Sequence, residues 1–168
     1  ISKLLHTIGD FERISDHAVN IAKTAKEINS KKISFSDQAR SELDVLSAAI
    51  HEILAITIQS FDEDDLSLAA HVEPLEQVID ILKNALKTRH VQRLQEGECT
   101  IELGFIFSDL LTNYERVADH CSNIAVCLIQ VSAESFDTHE YLNEIKSSKE
   151  SEFTDLFAGY KEKYVLPV

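Results

Sequence analysis

Two carboxylates four residues apart, framed by the same arginine, histidine and asparagine, occur twice in this chain. Glu12-Arg-Ile-Ser-Asp-His-Ala-Val-Asn-Ile-Ala22 recurs as Glu115-Arg-Val-Ala-Asp-His-Cys-Ser-Asn-Ile-Ala125, with seven of eleven positions identical. Most of the identities are polar, so apolar periodicity alone does not account for them; the segment is an internal repeat. Glu and Asp at this spacing share one side of a helix, about one turn apart. Each copy, Glu12 with Asp16 and Glu115 with Asp119, therefore sets two like charges against each other. Glu76 and Asp80 form a third such pair, with Glu73 one turn before Glu76. On an exposed helix the repulsion costs roughly 0.2–0.5 kcal/mol, and partial desolvation at the edge of an apolar stripe enlarges it. Oxygen donors so placed suit hard or borderline divalent cations, and several acids can bridge more than one ion. The competing reading is a solvated acidic face. Lys23 could then offset Asp16 and either Lys83 or Lys87 could offset Asp80, whereas the position equivalent to Lys23 in the second copy is Val126.

The residues around the acids point elsewhere. His17 and His120 directly follow their aspartates, about 100° away on a helix, so packing against a neighbouring helix is expected of them before metal ligation. Arg13 and Arg116 also point off the carboxylate side and are expected to hold adjacent helices through ion pairs. His6, His51, His71 and His139 are isolated and read as surface residues. The Glu-x-x-His spacing of di-iron bundles is missing. So are a glycine-rich phosphate loop, a nucleophile elbow and a His-Glu-x-x-His string, and the expectation is a protein that is not an enzyme. Arg89-His90-Val-Gln-Arg93 is either a small basic patch for an anion or a set of charges that suits a helix C-terminal end.

The elements that must position these groups are helical. Apolar residues recur at helical spacing from 2 to 29. Ser34-Phe-Ser-Asp37 reads as a helix start, with a hydroxyl three residues before an acid, and a second helix runs to about Phe61. The acidic link Asp62-Glu63-Asp64-Asp65 suits the N-terminal end of a third helix, which reaches about Gln95. Pro74 should kink or restart that helix, and Gly97 ends it. A fourth helix spans roughly Thr100 to Val131. Gly104 inside it costs about 1 kcal/mol relative to Ala, which points to close helix contact. One or two shorter helices, His139 to Ser148 and Glu150 to Tyr164, follow. The fold class is therefore all-α: an antiparallel bundle of four long helices (1–131) with a helical tail (132–168) packed on or near it.

The chain has 168 residues, 44% of them hydrophobic, enough for one globular core. Four Gly and two Pro argue against a turn-rich all-β fold. A net charge of -13 repels phosphate backbones and anionic membrane surfaces, so nucleic acid is not an expected partner. No segment approaches the roughly 20 apolar residues that cross a bilayer. The three cysteines form no Cys-x-x-Cys pair and read as reduced thiols of a cytosolic domain. With no Met, even at position 1, the chain is expected to be a fragment or a processed form.

The duplicated strings resemble the Glu/Asp-x-x-x-Asp signature of the PhoU family. Leu5-His-Thr-Ile-Gly-Asp-Phe-Glu-Arg-Ile-Ser-Asp-His17 and Arg89-His-x-x-Arg-Leu-x-x-Gly-x-Cys99 are closer still to the PhoU-like domain at the C-terminal end of bacterial sodium/phosphate cotransporters. The resemblance covers about residues 1 to 131. Family members have two three-helix units with the signature on the third helix of each. The chain would then begin at the third helix of a first unit and continue with a complete second unit, two helices short. The resemblance implies that Glu12, Asp16, Glu115 and Asp119 face iron, zinc or similar ions, with Glu76 and Asp80 as supporting ligands; Asn113, where the first copy has Asp10, departs from the pattern. It further implies a regulatory domain at the cytoplasmic face of the cell membrane, partnered by the transmembrane portion of its parent transporter and open to homo-oligomerisation. A metal-free structural adaptor and a free PhoU-type regulator are the alternatives.

Overall fold

The computed structural model of the chain describes residues 2–135 and 141–168, with side chains for 4–132 and 150–168. Among the described residues every regular element is a helix: α1 (Ser2–Lys31), α2 (Asp37–Glu63), α3 (Leu66–Ala69), α4 (Val72–Gln95), α5 (Ile101–Ser135) and α6 (Tyr141–Lys163).

Local chemistry sets the boundaries. Ser36, rather than Ser34, caps α2, its hydroxyl accepting from the Ala39 amide. Asp64 leaves α2 in the left-handed region at φ 54°, and the Asp65 carboxylate caps α3 by accepting from the Leu68 amide at 3.0 Å. The expected third helix is thus two. Pro74 is the third residue of α4, where its missing N–H removes no intrahelical bond, because the first four amides of a helix have no such partner. The proline permits a restart and bends nothing. At the other end of α4, Gly97 takes φ 75°. The Glu98 amide then bonds the Arg93 carbonyl at 2.9 Å and the Gly97 amide that of Leu94 at 3.2 Å, a Schellman closure. Of the one or two helices expected in the tail, the structure has one among the described residues, α6; the expected start at His139 lies outside them.

Helix α5 is the axis of the molecule. The α2/α4 pair covers one side of it, α1 lies antiparallel along another, and α6 packs on the outer side of α4. Leu46 and Ile53 from α2, Leu75, Ile79 and Leu86 from α4, and Phe107 and Ile124 from α5 have essentially no exposed surface, and Tyr160 of α6 joins the same cluster. Each such aliphatic side chain contributes about 1.5–3 kcal/mol by leaving water. Gly104 brings α5 onto α4: a Cβ there would stand 3.2 Å from the Leu94 side chain, the close contact expected of it.

One ionic group sits inside this core. Glu42, with no exposed surface, accepts from Arg89 at 3.0 Å and Arg93 at 2.9 Å, while Arg89 also donates to the Pro167 carbonyl. His90 stacks on Phe107 with ring centroids 4.5 Å apart, and burial followed by the Arg93 charge lowers its pKa. The Arg89-to-Arg93 segment is therefore no open basic patch. Its guanidinium groups turn inward to neutralise a buried carboxylate and tie the C-terminal residues down.

Candidate functional site: an acidic cleft between two helices

The two motif copies face each other across the α1/α5 seam. His17 Nδ1 lies 2.9 Å from Asn113 Oδ1, and His120 Nδ1 lies 2.8 Å from Asp10 Oδ1. Both oxygens only accept, so each Nδ1 carries the hydrogen. Asn123 donates to Asp10 at 3.2 Å and Asn20 to Asn113 at 3.5 Å. The two imidazoles stack between these bonds, with centroids 5.8 Å apart. Position 10 of the first copy and position 113 of the second are equivalent in the repeat, so the latch is reciprocal. This accounts for the repeated His and Asn: they bind the two copies to each other, as expected of histidines that packing claims.

The signature acids point away from the seam, and their surroundings differ. Glu115 and Asp119 of α5 face α4, where Glu76 and Asp80 stand. Lys83 donates to Glu115 at 2.7 Å and pairs with Asp80 at 3.0 Å. Asn84 also donates to Asp80, at 3.1 Å. Partial burial works against the Lys83 charge, but its bonds to the two carboxylates prevail and raise its pKa. Arg116 reaches Asp119 of its own helix at 3.4 Å rather than a neighbouring helix. Glu73 accepts from the Ser122 hydroxyl. A cleft of about 320 Å³ opens here, lined by Glu76, Arg116, Asp119, His120, Ser122 and Asn123. Glu76 is the stressed group. Desolvation first, then the charges of Glu73, Asp119, Asp80 and Glu115, push its pKa up to about 7. Five carboxylates meet two cations.

Glu12 and Asp16 of the first copy are exposed on α1, as are Leu4, Leu5 and Ile8 beside them. The structure thus brings together four of the six sequence-derived acids, Glu76, Asp80, Glu115 and Asp119, and leaves Glu12 and Asp16 apart from them. The seam partners Asp10 and Asn113, and the Thr24 hydroxyl that donates to Asp109 at 3.4 Å, were not visible as such in the sequence. Their one signal was that Asp10 and Asn113 occupy equivalent positions two residues before each signature glutamate.

The donor chemistry of the cleft suits a hard cation. As the side chains stand, however, no three His, Cys, Asp or Glu residues among the described ones are grouped to hold a metal ion, and Lys83 already occupies Asp80 and Glu115. Among the described residues no helix is long and apolar enough to cross a membrane.

The PhoU domain matches residues 43–128, a span that contains α4, most of α2 and the second signature copy. Phosphate-specific transport system accessory protein PhoU homolog 1 of Thermotoga maritima is 27% identical over 150 residues, which cover 89% of this chain and 63% of that protein. The chain thus spans less than two thirds of the relative it matches. No solved structure matches it. With the matched segment enclosing both walls of the acidic cleft, the chain belongs to the PhoU domain family.

Proposed function

We propose that this chain is a non-enzymatic regulatory module of phosphate transport, acting at the cytoplasmic face of the membrane as a domain of a sodium/phosphate cotransporter, with the α4/α5 acidic cleft as its responsive element. The observation that carries the reading is the coincidence of the PhoU match with a cleft whose central carboxyl, Glu76, has its pKa lifted to about 7. A group poised there changes charge with small changes in its surroundings. An iron or zinc ion held by Glu76 and Asp119 would supply the positive charge that the cleft lacks; a further donor would have to turn in, since no three are grouped as the side chains stand among the described residues.

In this reading Lys83 keeps Asp80 and Glu115 together, which fixes the distance between α4 and α5. The charge at Glu76 and Asp119 sets how firmly the two helices adhere, and through them the surface offered to the transmembrane portion. The test is phosphate uptake by cells carrying the full-length protein. Glu115→Ala with Asp119→Ala should blunt the response of uptake to external phosphate, and unchanged uptake and response would remove the support. Metal content of protein purified without chelator, before and after Glu76→Gln with Asp119→Asn, tests the ion separately.

A second reading, a free regulator of the Thermotoga kind, is favoured by the name of the relative itself. Fractionation of the natural protein separates the two: recovery with the membrane after a high-salt wash supports the fused domain, and full release supports the free regulator.

A further inference from the structure

A groove of about 770 Å³ runs between α6 and the α2/α4 pair, away from the acidic cleft. Most of its lining comes from residues 151–163, outside the segment that the PhoU domain matches. Its floor is apolar, formed by Leu156 and the ring of Tyr160, and it is open at Gly159, where an added Cβ would meet no atom within 4 Å. Glu52, Glu152 and Asp155 stand in its walls. Lys163 is the one lysine or arginine in the described lining, and it is spent on Glu52 at 2.7 Å. The exposed Glu152 and Asp155, three residues apart on one side of α6, are left to face solvent.

The floor is fixed before any ligand arrives. His71 Nδ1 and the Tyr160 hydroxyl are 3.1 Å apart, and the Tyr164 hydroxyl donates to Glu52. A preformed site spares a ligand the cost of ordering it. An apolar floor under a rim of unmatched carboxylates selects an occupant that is apolar on one side and cationic on the other. Phosphate-bearing partners and anionic lipid are repelled by the same rim.

We infer that this groove docks a basic amphipathic polypeptide segment, an apolar side chain seated over Leu156 and Tyr160 beside Gly159 and a lysine or arginine set against Glu152 and Asp155. The inference is independent of the acidic cleft and of the regulatory role proposed for it. The test is fluorescence anisotropy of the intact chain with a short labelled helix-forming peptide of Leu and Lys, at physiological salt. Binding should weaken about tenfold or more in Gly159→Phe, which fills the groove, and equally in Glu152→Lys with Asp155→Lys. Glu76→Gln with Asp119→Asn should leave it unchanged. The inference is overturned if Gly159→Phe retains its helical signal and binds as before, if a peptide with Ser in place of Leu binds as tightly, or if only the cleft variant loses binding. Should Gly159→Phe fail to fold, the Glu152/Asp155 variant decides alone, since both side chains are exposed and a substitution there spares the core.

Discussion

Helices α1 and α5 carry the same motif, yet α5 is covered on more sides than α1. The seam side of the motif is used identically in both, since each histidine bonds the residue two places before the other copy's glutamate. The remaining sides differ. Phe107 and Leu111 of α5 are 0% and 3% exposed under α2 and α4, whereas their equivalents on α1, Leu4 and Ile8, are 59% and 68% exposed. Glu115 has Lys83, whereas Glu12 is exposed. One sequence element therefore yields two electrostatic states, and the neighbour across the helix interface decides which.

The sharpest way to break this comparison is through apolar cover. Leu111→Ala should destabilise the chain by about 2–4 kcal/mol, the transfer term plus the cavity left in a packed core. Ile8→Ala at the equivalent position should stay within about 0.5 kcal/mol, as surface changes do. Urea unfolding of the two variants reads the difference directly. Comparable losses would mean that α1 has the same cover as α5.

Next in size is the cation between α4 and α5. Lys83→Met should cost about 1–2 kcal/mol, less than a fully buried pair because Asp80 and Glu115 retain contact with water. The same change leaves uncompensated the Asp80 and Glu115 charges that help push the Glu76 pKa up to about 7, so that pKa should rise further. Carboxyl chemical shifts followed through a pH titration check it, and a Glu76 titration unmoved by the loss of Lys83 would uncouple the two.

Much of this was legible in the chain before any coordinates. Apolar spacing marked α1, α2, α4 and α5; α2, α4 and α5 bury that stripe, whereas on α1 Leu4, Leu5 and Ile8 stay exposed. Gly97 and Gly104 announced a closure and a close approach that glycine favours. The pairing of Asp80 with a lysine was also readable, since Lys83 lies one turn along. What could not be read was which faces meet. Glu42 looked like one more acid in an acidic chain, although it falls in line with Ala39, Leu46 and Ala49, and that line was the signal that it is buried. Arg89 and Arg93 looked outward-facing because helix C-termini favour positive charge, and only the position of α2 shows that they serve Glu42. Exposure of Glu12 and Asp16 was likewise a tertiary fact, hidden by their identity to a covered copy.

A smaller effect comes from protonation of the cleft. Glu76 has its folded-state pKa raised from 4.5 to about 7, so between those values the folded chain holds a proton that the unfolded chain has lost. Stability from this group therefore falls as pH rises from about 4.5 to 7, and stays low above that. Glu76→Gln removes the charge and should raise stability by about 1 kcal/mol at pH 8, a figure reduced for the group's contact with water. Near pH 4.5 the gain should vanish. Thermal unfolding across that range tests it, and a gain that grows toward acid would reverse the sign of the argument.

The smallest expected effect is the most pointed. Glu12→Gln with Asp16→Asn repeats, on the exposed copy, the neutralisation that matters on the covered one. Both side chains are solvated, so their mutual repulsion is screened and relieving it should change stability by less than about 0.5 kcal/mol. Glu115→Gln with Asp119→Asn leaves Lys83 short of one partner and should destabilise by about 1 kcal/mol or more at neutral pH. The two double variants make the same substitutions at equivalent positions, in copies that different helices face. If they behaved alike, the acids would be acting within their own helix, and the cleft between α4 and α5 would have no claim as a site.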